Sequence, residues 1–442
     1  MTSVILAIAI LTAAGLPVAR WLEPSLGWRA RIGVAFMAGS GSATLLMLLA
    51  SLTGIRWSLA VVVIGLALVA IATIPISLRA PANDRAPLRA HPLAFVADAA
   101  TLLSVAGYAL FATVARPWEW DFWAIWGLKA KEFFIARGVS FEFLGRPDNV
   151  FSHPDYPPLV PLVYDVVAMI EGKWDDRWMG AITVAFAVAM LLVMREELER
   201  QCGSALVGAL GTLAISGAAC CAWVGLGEGP LVALASSGLL IMSRGLRENS
   251  ARAIVAGSVL LGLSGLAKNE GVSFVVAAIV VTLVFERHRW KLVALPAAAT
   301  VAPWLAARLA IAATTDVFEG GFAARAAERL SDPIGFVSTL AGGMFERPEL
   351  WLILALLVAL HPAAAKRERF LLGVVVLQAL SYVAVYAGTL NDLASHVQSS
   401  LGRVSSHLAP LAVVVAVLAI GELLRHHVEV EVEGKDESGH EI

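Results

Sequence analysis

Apolar residues run along this chain in long blocks separated by short polar joints, the pattern of a chain that crosses a bilayer many times. A membrane span needs about 20 apolar residues. Thirteen segments are candidates: 3–20, 32–53, 58–78, 94–115, 178–194, 204–224, 229–243, 253–267, 271–285, 292–312, 349–361, 370–388 and 406–424. The pieces within 229–285 and at 349–361 are short, which predicts tilted, broken or re-entrant helices. The fold class that follows is all-α, a polytopic transmembrane helical bundle of about 13 spans. Arg20 follows the first apolar run and no basic residue precedes it, so that run reads as a span entering from outside rather than a cleaved signal peptide.

The joints set the orientation. With the N-terminus outside, the inner joints hold Arg20, Arg29, Arg31, Arg79, Arg85, Arg89, Arg195, Arg200, Arg244, Arg247 and Arg252. They also hold Arg287, Arg289, Lys291, Lys366, Arg367 and Arg369, with Arg425 and Lys435 in the tail, nineteen of 33 basic residues in all. The short outer joints keep only Arg56, Lys268 and Arg403, the asymmetry expected of cytoplasmic against outer loops. Two long segments, 116–177 and 313–348, then face outward. The chain divides into N-terminal spans at 1–93, a membrane domain with both long outer segments at 94–424, and a charged tail at 425–442 expected to be disordered.

Composition narrows the classes. The chain of 442 residues is 58% hydrophobic and 15% charged, with a mean hydropathy of +0.76. A soluble chain carries roughly a quarter charged residues, so a water-soluble enzyme and a disordered linker are excluded. A net charge of -2 and no basic face exclude nucleic acid as a partner. Cys202 and the adjacent Cys220 and Cys221 make neither a disulfide framework nor a zinc spacing. No glycine-rich phosphate loop is present, so nucleotide-driven work has no support.

The candidate chemistry sits in the outer segments. Trp118, Trp120, Trp123 and Trp126 crowd the start of the first long loop, as side chains at headgroup level do. From Asp121 to Arg137, Phe122, Trp126 and Phe133 recur at near-helical spacing while Lys129, Lys131 and Glu132 lie elsewhere around the axis. That predicts an interfacial amphipathic helix, with Asp121 at its start either as a cap or as a carboxylate presented to substrate. The loop ends with His153, Asp155 and Tyr156 before Pro157, Pro158 and Pro161, which predict an extended return to the next span. His153 and Asp155 are candidates for substrate or for a divalent metal, and the sequence leaves the metal open. Charge near the centre of a span costs roughly 2.5–3.5 kcal/mol, so Glu228 and the Lys268-Asn269-Glu270 interruption each need a reason: either a plain outer turn or a shared site. Asp392, His396, Ser399, Arg403 and His407 recur at four, three, four and four residues, one helix face. An arginine there, with its fixed fork of donors, suits a phosphate.

In order and sidedness these features resemble the GT-C superfamily of integral-membrane glycosyltransferases, in particular the branch of protein O-mannosyltransferases and the lipid A aminoarabinose transferase. The matching elements are Asp121 within Trp120-Asp-Phe-Trp, Tyr156-Pro-Pro-Leu, Glu228 with Pro230-Leu231, and Gly265-Leu-Ala-Lys268. The resemblance covers about 94–424. It implies transfer of a sugar from a polyprenyl-phosphate donor to an acceptor hydroxyl on a glycan, lipid or protein. Asp121 would be the catalytic base, and Lys268 and Arg403 would lie near the donor phosphate. The setting it implies is the periplasmic face of a bacterial inner membrane. Phe122 stands where many relatives have a second acid, three spans precede the usual first one, and no large outer C-terminal domain follows. The rival readings are a lipid-linked sugar transporter or flippase, and an O-antigen polymerase or ligase whose site would lie in 313–348 at Arg325 and Arg329.

Overall fold

A computed structural model describes residues 1–78, 91–219, 223–313, 320–344 and 348–438. Arg79, Arg85, Arg89, Cys220 and Cys221 lie outside the described residues. Every element among the described residues is helical. The chain opens with α1 (Thr2–Leu22), α2 (Trp28–Leu52), α3 (Leu59–Leu78) and α4 (Pro92–Val114), followed by the first long loop with α5 (Gly127–Ala136), α6 (Phe141–Gly145) and α7 (Leu159–Glu171). Next come α8 (Gly180–Cys202), α9 (Ala205–Ala219), α10 (Glu228–Glu248), α11 (Ala251–Ala267), α12 (Asn269–Phe285) and α13 (Trp290–Ala310). After these follow α14 (Phe322–Leu330), α15 (Pro333–Met344), α16 (Pro348–Leu360), α17 (Pro362–Arg367) and α18 (Arg369–Gly388). The chain closes with α19 (Leu393–His396), α20 (Gly402–Ser406) and α21 (Ala409–Ser438).

Each of the thirteen apolar segments coincides with a helix, but they differ in reach. Among the described residues seven helices are long and apolar enough to cross a membrane: α1, α2, α4, α8, α10, α13 and α18. The pair Leu393–Ser406 and Ala409–Leu424, bent by 40°, makes an eighth crossing if taken together. The apolar parts of α3, α9, α11, α12 and α16 are 10–17 residues long, at most about 26 Å at 1.5 Å per residue. The helices are therefore shorter on average than thirteen full spans require. The tail also departs from expectation, since α21 continues to Ser438 rather than ending near residue 424. A helix already nucleated in an apolar span extends at little cost into a charged sequence.

One core runs from Val4 to Leu418, so the first two helices pack into the same body as α7, α8 and α11. Leu102, Leu103, Val114 and Leu309 point outward and are bare, as on a lipid-facing surface. Two crossings are close: Gly15 and Gly39 let α1 and α2 meet, and Gly238 and Gly257, each facing the other's carbonyl with no room for a Cβ, let α10 and α11 meet. Small residues at such crossings let helix backbones approach closely.

Ionised groups gather at the two ends of this bundle. Glu228 opens α10 and Glu248 closes it, roughly 30 Å apart by helical rise. At the Glu248 end, Arg244 reaches Glu197 at 2.9 Å and Glu248 at 3.2 Å. Arg195 holds Asp98 at 2.7 Å, and Arg369 holds Glu286 at 3.1 Å. The Arg20, Arg195, Arg244, Arg289 and Arg369 joints thus share one end, and the loop 116–177 caps the other.

The prolines of the first loop do not force an extended return. Pro158 caps α7 and Pro161 sits in its first turn, where the missing N–H has no intrahelical partner to lose. α7 buries Asp165 completely, and among the described residues neither carboxylate oxygen has a hydrogen-bond partner. Burial raises this carboxyl well above its usual range. An unsatisfied buried polar group costs about 1–3 kcal/mol. Asp165→Leu is accordingly expected to raise the midpoint of thermal unfolding in detergent; a lowered midpoint would show that the carboxyl is stabilised in place.

Candidate functional site

Asp121 belongs to the first loop, Glu228 to the start of α10, Lys268 to the one-residue break between α11 and α12, and Arg403 to α20. These four segments are far apart in the chain, and the fold brings them to one end of the bundle. Arg403 Nη1 meets Asp121 Oδ2 at 2.5 Å, and its Nε stands 3.2 Å from Glu228 Oε1. Lys268 Nζ lies 3.0 Å from the same Glu228 oxygen and 2.8 Å from Glu270 Oε1. The result is a chain of alternating sign, Asp121–Arg403–Glu228–Lys268–Glu270.

Local structure explains the aim of each group. Asp121 has helical backbone angles and makes no capping bond to the turn it precedes. The cap reading therefore fails, and its carboxylate points to Arg403 instead. A π-helical turn, Phe122–Trp126, follows Asp121, and another, Val397–Leu401, precedes Arg403. Such turns widen a helix by one residue and recur at functional sites. Under the loop, Gly225 adopts φ +82°, a left-handed conformation natural to glycine. A side chain at Gly225 or Gly227 would strike Phe122 or Trp126, so the turn leading to Glu228 passes beneath the interfacial segment only because it is bare. Lys268 adopts an extended backbone that ends α11 and lets α12 start at Asn269.

The predicted stripe on residues 392–407 does not hold as one face, because the π-turn shifts the helical phase. Arg403 faces Asp121. His396 bonds Thr389 Oγ1 at 2.8 Å and packs on Tyr386, so it is not in the charge chain. His407 is buried, with its Nδ1 3.1 Å from Tyr382 OH. Asp392 caps α19 by accepting from Ser395 N.

The three remaining candidates form a second group that abuts the first. Asp155 accepts from Asn269 Nδ2 at 2.6 Å, with Arg308 Nη2 at 3.7 Å. Tyr156 stacks on His153 at 4.6 Å and lies 5.6 Å from the Trp126 ring. Lys129, which its spacing placed away from the apolar face, is instead buried beneath this loop and donates to the His153 and Tyr156 carbonyls. The charge of Asp155 and the carbonyls of 153 and 156 account for a lysine among Trp126 and Phe133. Lys129 and Arg308 were not among the sequence candidates, and Asn269 and Glu270 were marked only as part of a polar interruption. For Glu270 and Asn269 the signal was present in the polar interruption itself; for Lys129 helical periodicity pointed the wrong way. Of the four tryptophans, Trp118, Trp120 and Trp123 are exposed and Trp126 is buried, so three remain free to lie at headgroup level.

Burial lowers the Lys129 ammonium from its ordinary 10.5 to about 7, with Asp155 acting in the opposite sense. Burial likewise raises Asp155, against the pull of Arg308 and Lys129. Partial burial and the Asp121 carboxylate raise Glu119. For Lys129 the unfolded chain binds more protons than the folded one between about pH 7 and 10.5. Its contribution to stability therefore rises with pH across that window, by at most about 1.4 kcal/mol per pH unit. Unfolding midpoints measured from pH 7 to 10 should climb more steeply in the wild type than in Lys129→Met; equal slopes would remove the lysine as the cause.

Among the described residues no three His, Cys, Asp or Glu side chains gather as a metal site. Asp155 is committed to Asn269, His153 stacks on Tyr156, and the Asp121 carboxylate holds Arg403. This donor set does not fit a resident divalent metal. Arg325 donates to the Gly388 carbonyl, and Arg329 to those of Tyr386, Ala387 and Asn391. Both arginines thus cap the end of α18, where helix carbonyls lack partners. Of the 313–348 segment read as a rival site, residues 314–319 and 345–347 lie outside the described residues. The chain matches no family model, no curated protein and no solved structure.

Proposed function

We propose that the protein is a membrane glycosyltransferase that moves a sugar from a polyprenyl-phosphate donor to an acceptor hydroxyl, with inversion at the anomeric carbon. The observation that carries this reading is the meeting of Asp121, Arg403, Glu228 and Lys268 at one end of the bundle, beneath exposed tryptophans. The acceptor oxygen bonds to the anomeric carbon as the bond from that carbon to the phosphate oxygen breaks. Asp121 takes the acceptor proton, and the departing polyprenyl phosphate keeps the bonding electron pair. Positive charge stabilises the charge that develops on that phosphate; Arg403 is the partly exposed cation at hand, and Lys268 adds its charge from behind Glu228. The bilayer supplies the donor, whose tail stays in lipid while its headgroup reaches the loop.

On this reading the end bearing 116–177 faces the periplasm of a bacterial inner membrane, with the N-terminus on that side and the C-terminus in the cytoplasm. The short helices α3, α9, α11, α12 and α16 complete about thirteen crossings around the long ones. The short, broken α11–α12 pair is the feature that would suit a transporter. Transport needs ionisable groups near the midplane, however, and the charge chains lie at the two ends.

The test is an assay of the purified protein in nanodiscs with polyprenyl-phosphate sugars bearing different heads. Release of free polyprenyl phosphate together with a glycosylated acceptor of inverted configuration is expected for one of them. Movement of intact lipid-linked sugar between leaflets without release would favour transport.

A further inference from the structure

Two cations lie among three carboxylates in the charge chain, so an anion cannot simply be added to it. The two ends of the chain are partly exposed and its middle is buried, with Glu270 at 21%. The Asp121 and Arg403 side chains keep 24% and 23% of their exposure, whereas Glu228 keeps 1% and Lys268 4%. Lys268 is also held by two carboxylates, at 3.0 and 2.8 Å. Arg403 presents its Nε to Glu228 and its Nη1 to Asp121. Of these contacts only Asp121–Arg403 joins a cation and a carboxylate that are both partly exposed, so it is the one an incoming anion can exchange at the cation.

We propose that Arg403 alone receives the donor phosphate, through the guanidinium edge that Asp121 holds at rest, and that Lys268 and Glu228 are positioning residues that never touch it. The inference rests on the glycosyltransferase reading and assigns its phosphate contact to one residue. A guanidinium edge accepts a phosphate in a bidentate grip, so the incoming oxyanion replaces a single carboxylate contact. Glu228, buried and tied to Lys268, keeps Arg403 in place during the exchange. Asp121, which at rest gives one oxygen to Arg403, is relieved of that neighbouring positive charge and becomes a better proton acceptor. Donor binding and release of the base become one event, so the donor binds before the acceptor.

The test uses the full chain in nanodiscs, with farnesyl phosphate and inorganic phosphate as probes. Asp121→Asn removes the competing charge and should bind farnesyl phosphate about tenfold tighter than the wild type. Glu119 lies in the same loop, and its carboxyl interacts with that of Asp121. It has no ion pair to Arg403 among the described residues, so Glu119→Gln should change affinity less than about twofold, within the range of a weak field effect. Arg403→Gln should lose binding, and Arg403→Lys, with no fork, should bind weakly. Equal shifts in Asp121→Asn and Glu119→Gln would reduce the effect to general charge repulsion and overturn the exchange. So would unchanged or weaker affinity in Asp121→Asn. Inorganic phosphate competing as well as the lipid would assign the edge to free phosphate and overturn the assignment to a lipid donor. Failure of both wild type and Asp121→Asn to bind farnesyl phosphate would reject the underlying glycosyltransferase reading itself.

Discussion

Asp121→Asn is expected to lower sugar transfer by about 10²–10⁴-fold, the range that loss of a general base costs, while the unfolding midpoint stays near that of the wild type. The two halves of this outcome separate the site from a structural cap. A capping aspartate replaced by an uncharged residue loses helix stability and changes activity only through folding. Asp121 makes no capping bond, and its partner Arg403 retains Glu228 as a counter-ion at 3.2 Å. The fold thus has little to lose from the substitution, and the reaction has a base to lose. Side-by-side measurement of turnover and thermal midpoint checks this. Near-normal product from the variant would remove Asp121 as base, and a matched fall in both quantities would return it to a structural role.

The second large effect is on stability. Lys268→Met leaves Glu228 buried without its ammonium, and breaking a buried pair on one side costs about 3–5 kcal/mol. Lys268 also closes α11 and adjoins Asn269, which holds Asp155, so loosening this break should free the loop that carries Tyr156. The expected result is a large drop in unfolding midpoint, with earlier proteolysis in 153–158. The double change Glu228→Leu with Lys268→Met should recover most of the lost stability, because replacing both members of a buried pair with apolar groups is often neutral, yet it should not recover transfer. A single variant as stable as the wild type would mean that the pair is hydrated and held weakly.

The helices were legible because burial in lipid demands continuous apolar runs, and each of the thirteen runs is helical. Their reach was less so. Hydropathy marks where a chain avoids water, but it does not distinguish a segment that crosses from one that packs against its neighbours inside a bundle; α11 and α12 are almost entirely apolar and only 17 residues each. Helical periodicity failed at Lys129 and along 392–407 for one reason: each lies next to a π-turn, and one added residue rotates everything beyond it by about a quarter turn. Prolines misled in 157–161 because their effect depends on whether they fall before or within a first turn.

Composition, run length and the distribution of basic residues determined on their own that this is an all-helical chain fit for a bilayer, with its unusual polar groups on one side. These are properties of residues against their solvent, and they need no knowledge of contacts. Tertiary structure alone decided that Asp121, Glu228, Lys268 and Arg403 share ion pairs, that His396 does not join them, and that Arg325 and Arg329 serve helix carbonyls. Pairing of charges separated by more than a hundred residues depends on helix phase and crossing geometry, and a difference of one residue in a turn is enough to change which partner a side chain meets.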